Sequence, residues 1–226
     1  MARRFLCKKG IAKKKILITA GPTYEAIDPV RFIGNYSTGK MGFAIAEEAA
    51  QCGAEVILIA GPVQLKTVHS NITRIDVKSA QEMYEAAIKH FPTCDGAILS
   101  AAVADFTPVT KYNAKIKEKQ SLTIELKPNP DIAQELGKIK KDNQILAGFA
   151  LETNDEFAHA QGKLERKNFD FIVLNSLADK GAGFGYDTNK VTIIKRNGES
   201  IPFDLKSKKE VAADIIAVMK NCFEEK

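Results

Sequence analysis

The chain has 226 residues, enough for one large domain with a sizeable buried core. Hydrophobic residues make up 45% and charged residues 27%, which argues against a mostly disordered chain, and no apolar run approaches the roughly 20 residues of a membrane-spanning helix. The formal net charge of +5 points at first to a nucleic-acid or membrane-surface protein.

The positive charge is concentrated at the amino terminus. Residues 1–15 contain seven Lys and Arg side chains and no acid, which leaves 26 basic and 28 acidic side chains, a net charge of −2, for residues 16–226. We interpret residues 1–14 as a basic leader or linker remnant and residues 15–226 as a single domain. A nucleic-acid-binding arm is the alternative for the leader, whereas the nearly neutral body predicts neither a nucleic-acid nor a membrane partner.

The predicted elements alternate between strand and helix from residue 15 onward. An apolar, β-branched run over residues 15–20 ends at Gly-Pro and predicts a buried strand. Apolar residues at helical spacing after residue 40, closed by Gly53, predict a helix, and residues 55–60 predict the next strand of a βαβ unit. The pattern continues as strand 72–77, helix 79–90, strands 95–101 and 121–126, helix 131–140, strand 144–150, helix 154–167 and strand 169–174.

This alternation predicts an α/β fold, a Rossmann-like, mostly parallel sheet with helices on both faces. The pattern changes near the carboxyl terminus. Residues 190–196 and 200–205 predict a hairpin around Asn197-Gly198, and residues 207–223 predict a closing amphipathic helix. We expect the hairpin to form a small antiparallel appendage.

Neither the cysteines nor the histidines form a metal or redox motif. The cysteines are far apart and include no CxxC pair, so a reducing, cytoplasmic location is expected. The histidines are isolated, with no HExxH sequence, and ordinary surface or hydrogen-bonded histidines are the simpler interpretation. These residues are Cys7, Cys52, Cys94, Cys222, His69, His90 and His159.

The first loop after a predicted strand, residues 21–40, is a candidate ligand site, because an open parallel sheet binds ligands beyond the carboxyl ends of its strands. It ends in GNYSTGK directly before a helix, but Met41 replaces the hydroxyl residue of the phosphate loop GxxxxGK[ST], which excludes a standard phosphate loop. A glycine-containing turn at a helix N-terminus still suits an anion. Tyr36 and Lys40 match the YxxxK spacing of short-chain dehydrogenases, but no GxGxxG follows the first strand, and we attribute the match to chance.

Three further loops carry candidate residues. In AAVADF, residues 101–106, small side chains permit close approach of a flat ligand, and Asp105 is either a ligand acceptor or a capping or turn residue. Residues 111–119 hold four lysines and one acid, as expected of a mobile lid over a polyphosphate. Residues 127–132, KPNPDI, lead into a predicted helix N-terminus.

A basic cluster of Lys163, Arg166 and Lys167 lies at the end of a predicted helix, where the helix dipole alone would favour it. Together with the loops, this cluster indicates an α/β enzyme that acts on a phosphorylated or nucleotide ligand. Residue pattern and charge leave open a nicotinamide-dependent Rossmann oxidoreductase and a non-enzymatic nucleotide-binding module.

Six segments resemble the phosphopantothenate-cysteine ligase family, also called phosphopantothenoylcysteine synthetase. They occur in the family's order and span most of residues 16–205: ILITAGPT (16–23), DPVRFIGNYSTGKMG (28–42), SAAVADF (100–106), KIK (115–117), KPNPDI (127–132) and GFALET (148–153). The resemblance implies a bacterial, CTP-dependent ligase of coenzyme A biosynthesis with Mg²⁺ as cofactor. In that reaction the carboxylate of 4'-phosphopantothenate attacks the α-phosphorus of CTP, and the amine of L-cysteine then displaces CMP from the acyl-cytidylate.

The resemblance also implies the site residues, by their positions in the matching motifs. Asn35 and Lys115 fall on the family's catalytic positions, and Asn35 and Ala102 fall on substrate-binding positions. A nucleotide role for Asp105 is thereby favoured over a cap. The nucleotide-binding positions fall on Ala101, Asp105, Lys115, Pro130, Asp131, Ile132, Ala133, Phe149, Lys163 and Lys167.

Partners are implied in the same way. Members of the family are typically homodimers to which the hairpin region contributes, and most bacterial members are fused behind a flavin-dependent decarboxylase. This chain is therefore expected to be either a stand-alone ligase or a ligase domain of a longer protein. Glu118 departs from the family pattern, since it places an acid where lysine is frequent.

Overall fold

A computed structural model describes residues 10–117, 121–152, 156–176 and 185–226. The helices are α1 (Lys40–Gln51), α2 (Ala80–His90), α3 (Ile132–Ile139), α4 (Glu156–Arg166) and α5 (Lys208–Glu224). The strands are, in chain order, β1 (Lys15–Ala20), β2 (Tyr24–Ala26), β3 (Phe32–Gly34), β4 (Glu55–Ala60), β5 (Ile72–Asp76), β6 (Gly96–Leu99), β7 (Phe106–Pro108), β8 (Leu126–Pro128), β9 (Ile145–Glu152), β10 (Phe171–Ser176), β11 (Thr188–Asn189), β12 (Val191–Lys195), β13 (Ser200–Pro202) and β14 (Lys206–Ser207).

Among the described residues, eight strands form one sheet in the order β13-β12-β10-β9-β6-β1-β4-β5. The strands from β10 to β5 are parallel, and β12 and β13 extend the sheet beyond β10 as antiparallel strands. In the parallel part, the chain runs outward from β1 in one direction and from β6 in the other, which is the Rossmann arrangement. The carboxyl ends of β1 and β6 therefore mark the crevice where such sheets bind ligands.

Helices cover both faces of the sheet. α1 and α5 pack against each other on one face, and α2, α3 and α4 lie on the other. Side chains of β1 alternate accordingly: Ile16 and Ile18 belong to the core beneath α1 and α5, and Leu17 belongs to the opposite core. Because both faces are buried, the central strands are continuous apolar runs, which explains why the sequence predicts them.

Local signals explain where the helices begin. Ser79 and Asp131 cap α2 and α3 with their side chains, and Ser207 starts α5 with a capping box. α1 differs, because its N-cap is Gly39, with a φ of 77° and no side-chain cap. The N–H groups of its first turn have no partner within the helix, and Gly42 in that turn lies against Ala20 at the carboxyl end of β1.

Short two-stranded sheets stand apart from the main sheet. In the described part of the chain they are β2 with β3, β7 with β8, and β11 with β14. β2 packs beside β7, so the first two small sheets form one projection that the sequence did not predict. None of the described helices combines the length and the apolar character that a membrane span requires.

The predicted fold class is confirmed, and most element boundaries agree with the prediction within three residues. The predicted strand 121–126 is wrong, because residues 121–125 form no strand and β8 pairs with β7 outside the main sheet. The alternating pattern of this segment does not reach a core, since Leu122 and Leu126 are both 41% exposed. The predicted hairpin is present as β12 and β13, but it forms the edge of the main sheet.

The described part of the predicted leader packs against the domain. Ile11 is fully buried in the core beneath α1 and α5, and Lys13 N donates a hydrogen bond to Gly53 O at 2.9 Å. Lys14 forms an ion pair with Asp95 at 3.2 Å. Residues 11–14 thus belong to the folded body, while residues 1–9 lie outside the described part of the chain.

Candidate functional site

A cleft of about 540 Å³ opens where the carboxyl ends of β1 and β6 meet the loops that follow them. This is the position that the strand order predicts for a ligand. Lys115 is exposed and is the one predicted site residue outside the lining. The predicted residues that line the cleft are Asn35, Ala101, Ala102, Asp105, Pro130, Asp131, Ile132, Ala133, Phe149, Lys163 and Lys167.

Asn35 lies at the rim of the cleft, immediately after β3. Its Nδ2 donates hydrogen bonds to the carbonyl oxygens of Ala102, at 3.0 Å, and Val103, at 3.3 Å. These bonds join the first loop to the loop after β6, and they hold an uncharged carboxamide between that loop and the N-terminus of α1.

The loop after β6, residues 100–105, is held against the end of β1 by threonine side chains. Ala101 N donates to Thr19 Oγ1 at 3.2 Å, and Ala104 N donates to Thr23 Oγ1 at 2.9 Å. Both threonines are at least 98% buried, so their hydroxyl groups serve the loop rather than the solvent. The alanine side chains leave the cleft wall open to close approach of a ligand.

Asp105 ends this loop with an exposed side chain at the cleft. It caps none of the described helices, which removes the helix-cap alternative. Asn129 N donates to Asp105 O at 2.8 Å, and Asn129 Nδ2 donates to Ala104 O at 2.8 Å. The Pro-rich approach to α3 is thereby joined to the loop after β6.

Asp131 and two lysines form a charged cluster at the start of α3. Asp131 Oδ1 accepts from Gln134 N at 2.9 Å, Asp131 Oδ2 pairs with Lys167, and Lys163 Nζ donates to Phe149 O at 2.8 Å. Burial raises the pKa of Asp131, but the hydrogen bonds from Lys167 and Gln134, with the charges of both lysines, hold that pKa below its usual range. Both lysines line the cleft, so the helix dipole is not the only feature of the fold that they serve.

The lysine loop, residues 109–117, forms neither helix nor strand. Its backbone is nevertheless fixed at Ile116, whose N–H donates to Asp28 Oδ2 at 3.2 Å and whose carbonyl accepts from Arg31 Nη2 at 2.8 Å. Residues 118–120, including the remaining part of the predicted lid, lie outside the described residues. The structure therefore anchors the backbone beside Lys115 without placing Lys115 in the cleft lining.

The cleft lining also contains Asn175, Asn189 and Lys208, none of which is predicted from the sequence. Asn175 follows the apolar run of β10, and this position at the end of a central strand could have identified it as a site residue. Asn189 lies in β11 and Lys208 begins α5, and no pattern in the sequence links either of them to the cleft. Lys208 is 8% exposed, and its Nζ donates to Tyr186 O at 2.6 Å. Burial lowers the pKa of Lys208, and the nearby charge of Lys40 lowers it further.

The cleft offers a cation the carboxylate oxygens of Asp105 and Asp131 as well as carboxamide oxygens. Over residues 10–117, 121–152, 156–176 and 185–226, no group of three or more His, Cys, Asp or Glu side chains is arranged to hold a metal. Within the same residues, the buried Oδ1 atoms of Asn175 and Asn189 accept no hydrogen bond. Mg²⁺ prefers oxygen ligands and is often held by few protein groups together with substrate phosphates. The donor set fits Mg²⁺ that arrives with a nucleotide.

The fold and the cleft define an α/β domain of the Rossmann-like class, with a ligand site at its switch point that suits an anion. Comparison with known proteins then gives the family. The chain belongs to the family described as DNA/pantothenate metabolism flavoprotein C-terminal domain, which it matches over residues 11–222. The family resemblance expected from the sequence motifs is confirmed.

The curated relatives are longer than this chain. Coenzyme A biosynthesis bifunctional protein CoaBC of Bacillus subtilis (strain 168) is 50% identical over 204 residues, 90% of this chain and 50% of that protein. A protein named Cysteine/Cysteine sulfinic acid decarboxylase, from an unknown prokaryotic organism, is 56% identical over 218 residues, 94% of this chain and 61% of that protein. The chain therefore spans half to three-fifths of these two relatives.

A solved structure matches nearly all of this chain. The crystal structure of the C-terminal domain of the Coenzyme A biosynthesis bifunctional protein CoaBC is 43% identical, with a TM-score of 0.82. The match covers 96% of this chain and 100% of the solved domain. In extent and in fold, the chain is similar to that C-terminal domain.

Proposed function

We propose that this domain is a CTP-dependent phosphopantothenate-cysteine ligase that acts in coenzyme A biosynthesis. The observation that carries the proposal is the position of Asn35, which hydrogen-bonds the loop after β6 at the rim of a cleft lined by every other expected nucleotide and substrate position except Lys115. The 43% identity to the C-terminal domain of CoaBC over its full length supports the same activity.

In the first step, a carboxylate oxygen of 4'-phosphopantothenate attacks the α-phosphorus of CTP. The bond from that phosphorus to the bridging oxygen breaks, and pyrophosphate leaves. The N-terminus of α1, Lys163 and Lys167 supply positive potential toward the triphosphate. Lys115 adds a cation to the departing pyrophosphate when its long, flexible side chain extends into the cleft.

In the second step, the amine of cysteine attacks the acyl carbon of the acyl-cytidylate. The bond from that carbon to the bridging oxygen breaks, CMP leaves, and the amide nitrogen loses its proton. CMP is a good leaving group, whereas the oxygen of a free carboxylate is a poor one. Asn35 hydrogen-bonds the mixed anhydride without a charge that would repel it, and Ala102 leaves room for the pantothenoyl part.

Nucleotide binding is assigned to the wall formed by residues 130–133, Phe149 and Asp105. Mg²⁺, when bound, neutralises triphosphate charge and orients the α-phosphorus for in-line attack. Asn175 and Asn189 are the residues that would hold it, because their buried oxygens line the same cleft and accept no hydrogen bond from the described residues.

We also propose a homodimer. The exposed apolar side chains of Val30, Phe32 and Phe106, at 60%, 49% and 50% exposure, lie on the projection formed by β2–β3 and β7–β8 and offer a surface for it. The hairpin of β12 and β13 is a weaker choice, since it is built into the main sheet. Sedimentation velocity tests the assembly, and a monomer at micromolar concentration would contradict it.

Two further expectations concern context. We expect a flavin-dependent decarboxylase as a fused or separate partner, and the names of the bifunctional relatives support a second activity beside this domain, because this chain covers about half of each. A cytoplasmic location stays a prediction from the cysteine spacing. Both can be tested in the source cell, by copurification with a decarboxylase and by fractionation.

The ligase proposal is tested by pyrophosphate release from CTP in the presence of Mg²⁺. We expect sustained release only when both 4'-phosphopantothenate and L-cysteine are present, with CTP preferred over ATP. Carbon dioxide release from cysteine or cysteine sulfinate, without pyrophosphate, would instead favour the activity in the decarboxylase relative's name. Tight NADH binding without pyrophosphate release would favour the oxidoreductase.

A further inference from the structure

We propose that Asp28 is a positioning residue for Lys115, acting through Arg31 and the backbone of Ile116. The three residues form a clasp that ties the lysine loop to the turn between β2 and β3. The proposal rests on the ligase function only for the role of Lys115, since the clasp itself is a feature of the fold.

The Asp28 carboxylate is fully buried and accepts five hydrogen bonds. Oδ1 accepts from the backbone N–H groups of Val30 and Arg31, both at 2.8 Å, and closes the turn. Oδ2 accepts from Arg31 Nε at 2.9 Å, Arg31 Nη2 at 2.5 Å and Ile116 N at 3.2 Å. One oxygen thus shapes the turn, and the other faces the lysine loop.

Burial raises the pKa of Asp28, but the hydrogen bonds from Arg31 and from the backbone at Val30, Arg31 and Ile116 outweigh it and hold the pKa well below its usual range. The carboxylate therefore stays charged at neutral pH. Asp28 does not line the cleft described above, and its buried, ionised carboxylate instead binds the lysine loop, 88 residues away in sequence.

Ile116 is bound on both sides of its backbone. Its N–H donates to Asp28, and its carbonyl accepts from Arg31 Nη2 at 2.8 Å. A second tether lies four residues earlier, where Tyr112 N donates to Ile27 O at 2.9 Å. Because Lys115 lies between these two tethers, the clasp sets the distance from its Cα to the cleft even though the loop has no helix or strand.

The same small hairpin carries Asn35 at its end. The hairpin is itself docked, since Tyr24 N donates to Lys78 O at 2.7 Å and the buried Glu25 Oε1 accepts from Ala80 N at 2.8 Å. The β2–β3 hairpin therefore positions both proposed catalytic residues. It holds Asn35 through the covalent link to β3, and it holds Lys115 through the clasp.

Asp28→Asn removes the negative charge that binds the Arg31 guanidinium and leaves one oxygen for two sets of donors. With the NH₂ group turned toward the guanidinium and Ile116 N, donor meets donor and the clasp opens. With the NH₂ group turned the other way, it meets the backbone N–H groups of Val30 and Arg31, and the turn that holds Arg31 opens instead, so either orientation weakens the hold on Ile116. Asp76→Asn is the matched control, because Asp76 also pairs with an arginine, Arg74, at 2.8 Å and lies on β5 at the edge of the sheet.

The first measurement is amide hydrogen exchange at Ile116 by NMR, which needs no enzyme activity. We expect exchange about 10-fold faster in Asp28→Asn and unchanged in Asp76→Asn, the scale of losing one charge-assisted hydrogen bond. Unchanged exchange at Ile116 in a folded Asp28→Asn would overturn the clasp. If Asp28→Asn does not fold, Arg31→Lys keeps the charge but loses the bond to Ile116 O, which frees one side of the Ile116 backbone, and a smaller increase in exchange at Ile116 is expected.

The second measurement is ligase turnover in a double-mutant cycle. Asp28→Asn should lower kcat about 10- to 100-fold with the KM for CTP nearly unchanged, as a misplaced catalytic group does. If Asp28 acts through Lys115, the double variant Asp28→Asn/Lys115→Gln should match Lys115→Gln within about 3-fold. Multiplying losses would assign Asp28 a separate role and contradict the proposal. A wild-type chain without ligase activity would refute the proposed function but leave the exchange result intact.

Discussion

Asn35→Asp tests the site while sparing the fold. The Asn35 side chain donates two hydrogen bonds, at 3.0 and 3.3 Å, from an exposed position. At about 0.5–1.5 kcal/mol each, losing both costs roughly 1–3 kcal/mol, and each kcal/mol lowers the melting temperature of a domain of this size by about 2–4 °C. Since a typical domain has about 5–15 kcal/mol of stability, the variant should stay folded.

Turnover should fall much further than stability. An aspartate at position 35 faces the carbonyl oxygens of Ala102 and Val103, so it loses its donor, turns away and sets a negative charge against the CTP phosphates. We expect a loss in kcat on the order of 10² or more, the scale of removing one transition-state contact. The assay is pyrophosphate release at saturating CTP, phosphopantothenate and cysteine, alongside a thermal melt.

The pH dependence sharpens this prediction. A protonated aspartate is neutral and can donate again, and the two carbonyl oxygens raise its pKa above the ordinary value of about 3.9. The activity of Asn35→Asp relative to wild type should therefore rise as the pH falls from about 7.5 toward 5.5.

Asn71→Asp is the control for this variant, because Asn71 Nδ2 donates to Ala54 O at 3.3 Å, outside the cleft lining. It should cost a comparable amount of stability and leave turnover near wild type. Wild-type turnover in Asn35→Asp, or an equal loss in both variants, would refute the reasoning.

Three further predictions concern the nucleotide site, the packing of α1 and the buried cysteines. Lys167→Met removes a cation from the cleft and should raise the KM for CTP about 10-fold with kcat nearly unchanged; an unchanged KM would remove Lys167 from the nucleotide site. Gly42→Val places a Cβ 2.5 Å from Ala20 Cβ, so α1 must shift from β1; denaturation should show a loss of about 1–3 kcal/mol, and wild-type stability would contradict this packing. Burial raises the pKa of the Cys94 and Cys222 thiols to about 11, so at pH 8 both should react with iodoacetamide at least ~100-fold slower in native than in urea-unfolded protein; similar rates by mass spectrometry would contradict their burial.

The parts of the fold that sequence predicts are those with local causes. β1, α1 and β4 follow from apolar runs bounded by glycine, because a parallel strand buried on both faces leaves a continuous apolar signal. The segment that contains β8 is mispredicted because its alternating apolar residues suggest a half-buried strand of the main sheet. In the structure β8 pairs instead with β7 in a small exposed sheet. Pairing between short, distant strands leaves little trace in either segment.

The site residues also divide into those that local sequence predicts and those that depend on long-range contacts. Residues that follow a central strand directly, such as Ala102 and Asp105, are predictable because strand order places them in one crevice. Asn189 and the clasp of Asp28 with Ile116 are not, because they depend on contacts between segments far apart in sequence. The position of Lys115 outside the cleft lining also depends on such contacts, which no local pattern encodes.

The central claim is that ligation passes through an acyl-cytidylate, and oxygen transfer tests it most directly. With 4'-phosphopantothenate labelled by ¹⁸O in both carboxylate oxygens, attack on the α-phosphorus followed by cleavage at the acyl carbon leaves one label in CMP and one in the new amide. Mass spectrometry of CMP should therefore show one ¹⁸O per turnover. Unlabelled CMP, or no CMP formed in step with the amide, would contradict the account.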